Sequence, residues 1–331
     1  MSVSVIAFFN NKGGVGKTTM AYHLAWMFAD RGLRVVAADL DPQANLTTAL
    51  VSEDRMEQVL SDENHRPTIF GCLQPLKDGT GDIAPPHVED INDRLGLILG
   101  DMALSTFEDT LSEVWPKCMD RDQRAVRVTS AFWRTMQAAA QARHADVILV
   151  DLGPNLGAIN RAGLIASDFV VVPLGPDLFS LQGMKNLGPA LIHWRSEWKE
   201  RTERNPVKDL ALPAGGITPI GYVVLRHSIR LDRPVQAFDK WIARIPGVYA
   251  KSVLDKSPSR TATIDSDKNC IAKLKDYRSL MPLAQEARKP IFFLKPADGA
   301  LGAHTSAVQD AYNDFLAVAR TIAKRTNLKF Q

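Results

Sequence analysis

Asn10-Asn11-Lys12-Gly13-Gly14-Val15-Gly16-Lys17-Thr18-Thr19 is the stretch that decides the fold of this 331-residue chain. An apolar run over residues 3–9 precedes it and reads as a buried strand, while Met20, Leu24, Met27 and Phe28 follow at helical spacing and end near Gly32. Strand, Gly-rich loop and helix are the setting that a phosphate-binding loop requires. The glycines let backbone N–H groups converge on phosphate oxygens, and the helix N-terminus adds positive potential. The candidate nucleotide-binding residues are therefore Asn11, Gly13, Gly14, Val15, Gly16, Lys17, Thr18 and Thr19. Lys17 is placed to reach the terminal phosphates, and the Thr18 hydroxyl to face Mg²⁺. Loops of this kind usually start with Gly; here Asn11 holds that place and Lys12 follows it.

With its early lysine, KGGVGKTT resembles the deviant phosphate loop of the ParA/MinD/Soj ATPases, relatives of nitrogenase iron protein and of the signal-recognition GTPases. The resemblance implies a P-loop NTPase of the SIMIBI type that takes ATP and Mg²⁺. It also implies that Lys12 reaches across a dimer to the partner's bound nucleotide, where a solvated surface charge would be the plainer reading.

Three acids extend the site. Asp39 and Asp41 stand where the apolar run RVVAAD at 34–39 ends, and ligands of parallel sheets bind beyond the carboxyl ends of strands. Two carboxylates there suit metal organisation and the positioning of an attacking water. An acid capping the next helix would account for one of them and not for both. DLDPQAN resembles the first switch of the family, which implies that Asp41 orients the hydrolytic water and Asp39 supports the Mg²⁺ shell. Asp151 ends the run VILVD at 147–151 and corresponds to an acid that holds Mg²⁺ through water. Gly153-Pro154-Asn155 takes the place of the second switch, where the family more often has Pro-Pro. Further on, Asp177, Ser180 and Gly183 fall in a segment that lies near nucleotide and dimer interface in the family. The assigned catalytic residues are thus Lys12, Lys17 and Asp41, and the metal residues Thr18, Asp39 and Asp151.

Apolar runs at 95–99, 169–173, 220–225 and 291–294 add further strands between helical stretches. The fold class is α/β: a doubly wound, mainly parallel sheet with helices on both faces. Residues 52–94 and 195–216 are polar and punctuated by Pro and Gly, so they read as insertions, the latter a surface excursion, in a single ATPase domain over 1–331. The first strand begins at residue 3, which leaves no room in this sequence for a preceding helix-turn-helix and resembles the short forms of the family. The last helix, near 306–325, carries a stripe of Val308, Ala311, Tyr312, Phe315, Ala319 and Ile322, and Ser306 with Gln309 is placed to cap it. Asp310 and Asp314 on the polar face favour core packing over the membrane-surface helix of MinD-like proteins.

Composition sets the compartment. Neither a membrane-length apolar stretch nor a signal peptide is present, and Cys72, Cys118 and Cys270 are isolated, so a cytoplasmic protein without an iron–sulfur or zinc site is expected. Charge is uneven: residues 1–225 hold 21 basic and 27 acidic side chains, residues 226–331 hold 19 and 10. The basic residues of 226–295, among them Arg226, Arg230, Arg233, Lys240, Arg244, Lys251 and Arg260, are candidates for phosphate contacts, although a solvated face is the commoner meaning of such an excess. In the family, basic residues of this half bind DNA without sequence preference and only as the ATP dimer. The expected function is an ATP-dependent switch: a homodimer with ATP, bound to DNA at the nucleoid, hydrolysing slowly until a ParB-like or other partner stimulates it. Rival readings are a membrane-positioning ATPase, a nucleotide-gated subunit of a larger assembly, and an iron–sulfur carrier. After the run at 220–225, where related proteins often place Asn, the chain reads Leu225-Arg226-His227, and His227 reads as surface or packing.

Overall fold

The computed structural model describes residues 2–225, 240–257, 263–277, 280–300 and 302–330. Among these, eight strands make one sheet: β1 (Ser4–Phe8), β2 (Val35–Asp39), β3 (Glu89–Asn92), β4 (Leu95–Ile98), β5 (Val147–Asp151), β6 (Phe169–Leu174), β7 (Thr218–Leu225) and β8 (Cys270–Leu274). Their order is β3-β4-β2-β5-β1-β6-β7-β8, and only the β3–β4 pair is antiparallel. β1 lies between β5 and β6, so the loop that leaves its end is flanked by two other strand ends.

Strand residues alternate between two cores. Val5, Ala7, Val36, Ala38, Ile148 and Val150 face one helical layer, while Ile6, Phe8, Val35, Ala37, Val147 and Leu149 face the other. The second layer holds α1 (Lys17–Asp30), α2 (Asn45–Leu50) and α3 (Glu53–Leu60). The first holds α4 (Ile69–Asp78), α5 (Phe107–Lys117), α6 (Gln123–Thr129), α7 (Ala131–Ala142), α8 (Ala158–Ile165), α9 (Leu178–Glu203) and the short α10 (Ile245–Val248). The chain then returns to the second layer with α11 (Leu280–Ala287) and α12 (Ala303–Thr326). Burying a side chain such as Phe8, Phe28 or Phe132 contributes about 1.5–3 kcal/mol, and each of these is 0–1% exposed.

Several expectations need correction. Residues 291–294 are not a strand: Ile291–Phe293 is a 3-10 turn between Pro290 and Pro296, and prolines so placed stop ladder pairing. The outer strand is β8 instead, a half-buried edge whose apolar pattern Lys273 interrupts. The excursion over 195–216 starts only after Glu203, because α9 carries Trp198 and Arg201 into the core. The Arg201 guanidinium lies 3.9 Å from the Trp115 ring centre and donates to the Trp115 carbonyl. Within 52–94, α4 buries Ile69, Leu73 and Leu76 in the first core, and β3 pairs with β4. Ser306 does not cap α12; Gly302, with φ +57°, is the N-cap, four residues earlier.

Two contacts join the ends of the chain. The His23 ring, on α1, has Nδ1 2.8 Å from the Thr19 carbonyl and accepts from the Ile291 N–H at Nε2, 3.3 Å. It stacks on Phe315 of α12, and burial lowers its pKa to about 4, so it stays neutral. Beside it, α12 buries Ala311, Phe315, Val318, Ala319 and Ile322 in the second core. Among the described residues no helix is long and apolar enough to cross a membrane.

Candidate functional site

The loop leaving β1 folds as its glycines dictate. Gly14 and Gly16 have φ of +69° and +78°, a region that side chains with a Cβ rarely enter. A Cβ on Gly16 would also strike the Leu225 side chain at the end of β7. Gly16 serves as N-cap of α1, and Lys17 begins it. Lys17 is 7% exposed and donates to the Lys12 carbonyl at 3.3 Å. Burial lowers its pKa, while Asp151 and Asp41 oppose that shift by favouring the ammonium.

The two strand-end acids are in register across β2 and β5. Asp39 is saturated: Oδ2 accepts the Thr47 N–H and Oγ1–H, both at 2.8 Å, and Oδ1 accepts the Asp41 N–H at 3.3 Å. Burial, opposed by those Thr47 hydrogen bonds, raises its pKa to about 6. Asp151 is fully buried with no hydrogen bond of good geometry on either oxygen. Burial, and then the Asp39 charge, push its pKa well up; Thr18, and Lys17 more weakly, oppose this without offsetting it.

A bare buried carboxylate is costly unless something external completes it. Its place beside Thr18 and Lys17 fits Mg²⁺ reached through water. No group of three or more His, Cys, Asp or Glu suited to a metal occurs among the described residues. Mg²⁺ bound mainly by substrate phosphates, water and one or two carboxylates needs no such cage.

Asp41, 7% exposed, accepts the Gln43 N–H at 3.0 Å. A Cβ on Gly153 would lie 3.3 Å from Asp41 Oδ1, so the loop after β5 passes close beside Asp41. Pro154 of that loop lies against Gly13, at 4.0 Å from where a Cβ would stand. The structure thus gathers residues 11–19, Asp39, Asp41 and Asp151 beyond the carboxyl ends of the central strands.

Lys12 has a partner within its own chain that no local sequence signal reveals. Its Nζ pairs with Asp177 Oδ2 at 2.7 Å, and both side chains are partly exposed. Asp177 also caps α9 by accepting the Ser180 N–H at 3.0 Å. Against the cost of partial burial, Lys12 and Ser180 hold its carboxyl below the usual range. Gly183, one turn on, packs on the Asn10 side chain. An ion pair this exposed stabilises by about 0–1 kcal/mol, so a competing phosphate could displace it.

Two cavities flank Thr19. One, of about 100 Å³, is lined by Gly16, Thr19, Leu225, Tyr277 and Met281. The other, of about 390 Å³, is lined by Thr18, Thr19, Tyr22, Asn45, Gln285 and Arg288 among others. Of the basic candidates, Arg226, Arg230, Arg233, Arg260 and Arg278 lie outside the described residues, as does His227. Lys273 and Lys275 are paired with Asp265 and Asp310. Tyr249 is core, and Trp241 lies under Lys240 and Arg244.

The loop, its helix and the parallel sheet define a phosphate-loop NTPase of the α/β class. A family model described as AAA domain (AAA_31) matches residues 3–202. The chain belongs to that family, and with it to the ParA/MinD-type ATPases. It is 30% identical over 184 residues to the sporulation initiation inhibitor protein Soj of Bacillus subtilis, 55% of this chain and 62% of that protein. It is 29% identical over 199 residues to the chromosome partitioning protein ParA of Caulobacter vibrioides, covering 60% and 66% of the two chains. The match thus spans less than two thirds of the length of each of these two relatives. Among solved structures, protein DIP2308 of Corynebacterium diphtheriae shares the fold at TM-score 0.69, with 23% identity and 98% of each chain covered. So does a Cyanothece McdA variant in complex with ATP, at TM-score 0.62 and 15% identity, covering 100% of this chain and 98% of that one.

Proposed function

We propose that this chain is a ParA-like switch ATPase that binds Mg·ATP, dimerises around it, binds DNA without sequence preference as that dimer, and hydrolyses slowly until a protein partner stimulates it. The observation that carries the reading is Asp151: a buried carboxylate with no hydrogen bond of good geometry, beside Lys17 and Thr18 at the mouth of the loop. Backbone amides of Asn11, Gly13, Gly14, Val15 and Gly16 would hold the phosphates, and Lys17 would supply charge to the terminal ones. Thr18 and Asp151 would hold Mg²⁺, which when bound neutralises charge on the β- and γ-phosphates. Asp39 would support that shell indirectly by fixing Thr47. Asp41, beside Gly153, would orient the attacking water. The nucleoside would lie in the cavities beside Thr19.

Lys12 gives the switch its second state. It would exchange Asp177 for a phosphate on the nucleotide of a second subunit, and charge supplied in trans raises phosphoryl-transfer rates by about 10³–10⁵. Doubling the basic surface of residues 226–295 in the dimer would double the phosphate contacts and steepen the salt dependence of DNA binding. This reading takes residues 1–331 as one ATPase domain, cytoplasmic and nucleoid-associated while DNA-bound. The name of the chromosome partitioning relative supports a role in segregation or positioning.

Light scattering with ATP, ADP or no nucleotide tests the switch: the dimer should appear with ATP alone. Lys12→Ala should bind Mg·ATP yet fail to dimerise, and Asp41→Ala should hold a long-lived ATP dimer. The same mass under all three conditions would refute the proposal.

A further inference from the structure

Residues 100–108 touch both acidic loops at once. At one end, the Gly100 N–H donates to Thr47 Oγ1 at 2.7 Å, and Thr47 is the residue that saturates Asp39. The approach is close: a Cβ on Gly100 would stand 2.9 Å from Asp39 Oδ2. At the other end, Glu108 accepts the N–H groups of Ala158 at 2.5 Å and Ile159 at 2.8 Å, closing the N-terminus of α8. The first turn of α8 then fixes the loop after β5, because the Asn160 amide donates to the carbonyls of Gly153 and Asn155 at 3.1 and 2.7 Å. Gly153 lies beside Asp41, with room for no side chain between them: an added Cβ would stand 3.3 Å from Asp41 Oδ1. Between the two ends, Leu104 and Phe107 are fully buried, so the segment is anchored in the core. Asp101 ties it further, accepting from Thr68 and the Ala103 N–H.

We propose that Glu108 is a positioning residue for ATP hydrolysis, and that residues 100–108 couple the loop at Asp39 to the loop at Gly153. A carboxylate at a helix N-terminus makes charge-assisted hydrogen bonds and complements the helix dipole, so it sets where that helix begins. Through Asn160 and Gly153 that placement reaches Asp41 without Glu108 touching the reacting atoms. The inference rests on the ATPase reading above.

The test uses the full chain and compares single-turnover hydrolysis of Mg·ATP with its Kd for Glu108→Ala, Glu108→Gln and Asp109→Ala. Displacing a catalytic group by a fraction of an ångström costs about tenfold or more in rate, and that fall is expected for Glu108→Ala. Its Kd should stay near that of the unsubstituted chain. Glu108→Gln keeps an acceptor oxygen and should recover much of the rate, and Asp109→Ala should match the unsubstituted chain. An unchanged rate in Glu108→Ala overturns the proposal, as do rate and affinity falling together or Gln performing no better than Ala. Amide hydrogen exchange separates this failure from failure of the ATPase reading. With Mg·ATP, residues 11–19 should be protected in both chains, but residues 153–160 only with Glu108 present. If the unsubstituted chain shows no turnover, the ATPase reading falls; without nucleotide, equal exchange at Ala158 and Ile159 in both chains would then overturn the clamp as well.

Discussion

Asp39 and Asp151 end neighbouring strands, stand in register, and are equally buried, yet their oxygens meet opposite surroundings. Asp39 is held by three hydrogen bonds from its own chain, two of them from Thr47. Asp151 has none of good geometry. Two identical side chains at equivalent strand ends are therefore held differently: one builds the loop that follows it, and the other is left without a partner of good geometry. The contrast arises because the chain after β2 doubles back to bring Thr47 onto Asp39, whereas the loop after β5 runs on to Asn160.

The largest expected effect comes from removing the cation between these carboxylates and the loop. Lys17→Ala should weaken Mg·ATP binding about a hundredfold or more, since truncating one partner of a buried charged pair costs about 2–5 kcal/mol. Isothermal titration would show it. Asp151→Asn should lower turnover about a hundredfold by disordering the Mg²⁺ shell. The same change should raise the melting temperature of the nucleotide-free chain near neutral pH, because it removes a buried carboxyl whose ionisation folding opposes. Thr47→Val should move stability the other way, by about 1–3 kcal/mol in denaturant titration, since the Gly100 N–H and Asp39 both lose a buried partner. If both substitutions shift stability in the same direction, the two acids are not the opposites described here.

The smallest effect is in pH. Folding raises the pKa of Asp39 from 3.8 to about 6, so the folded chain holds its proton more tightly than the unfolded chain does. Stability from this group is full below the unfolded value and is lost as pH rises through about 6. Asp151 shifts in the same direction and should add to the decline. Thermal melting of the nucleotide-free protein should therefore show stability falling across that window, and Asp151→Asn should flatten the fall.

Much of this was legible in the sequence, because the inner strands are covered on both sides. β1, β2, β5 and β6 are continuous apolar runs, and the loop glycines announce the phosphate site. The edges were not legible. β3 is four residues of EDIN, and β8 contains Lys273, so neither carries the apolar signal of a buried strand. Ile291–Phe293 does carry it, yet buries its side chains as a turn against the second core. Lys12 could be singled out from its place in the loop, whereas Asp177 lies 165 residues away and is joined to it only by the fold. Glu108 gave no signal, since nothing in FEDTL indicates that one of its acids reaches α8.

His23 carries a consequence for how such chains can be recombined. It belongs to the stretch that the AAA domain family shares, but its Nε2 is satisfied by Ile291 and its ring by Phe315, both beyond residue 202. The imidazole is thus a seam between residues 3–202, which the family model matches, and the residues that follow them. A chimera joining residues 1–202 to a foreign tail would leave a buried ring nitrogen without its donor directly behind Thr19. The C-terminal third is then no interchangeable attachment: it is part of what keeps the phosphate-loop helix in one piece.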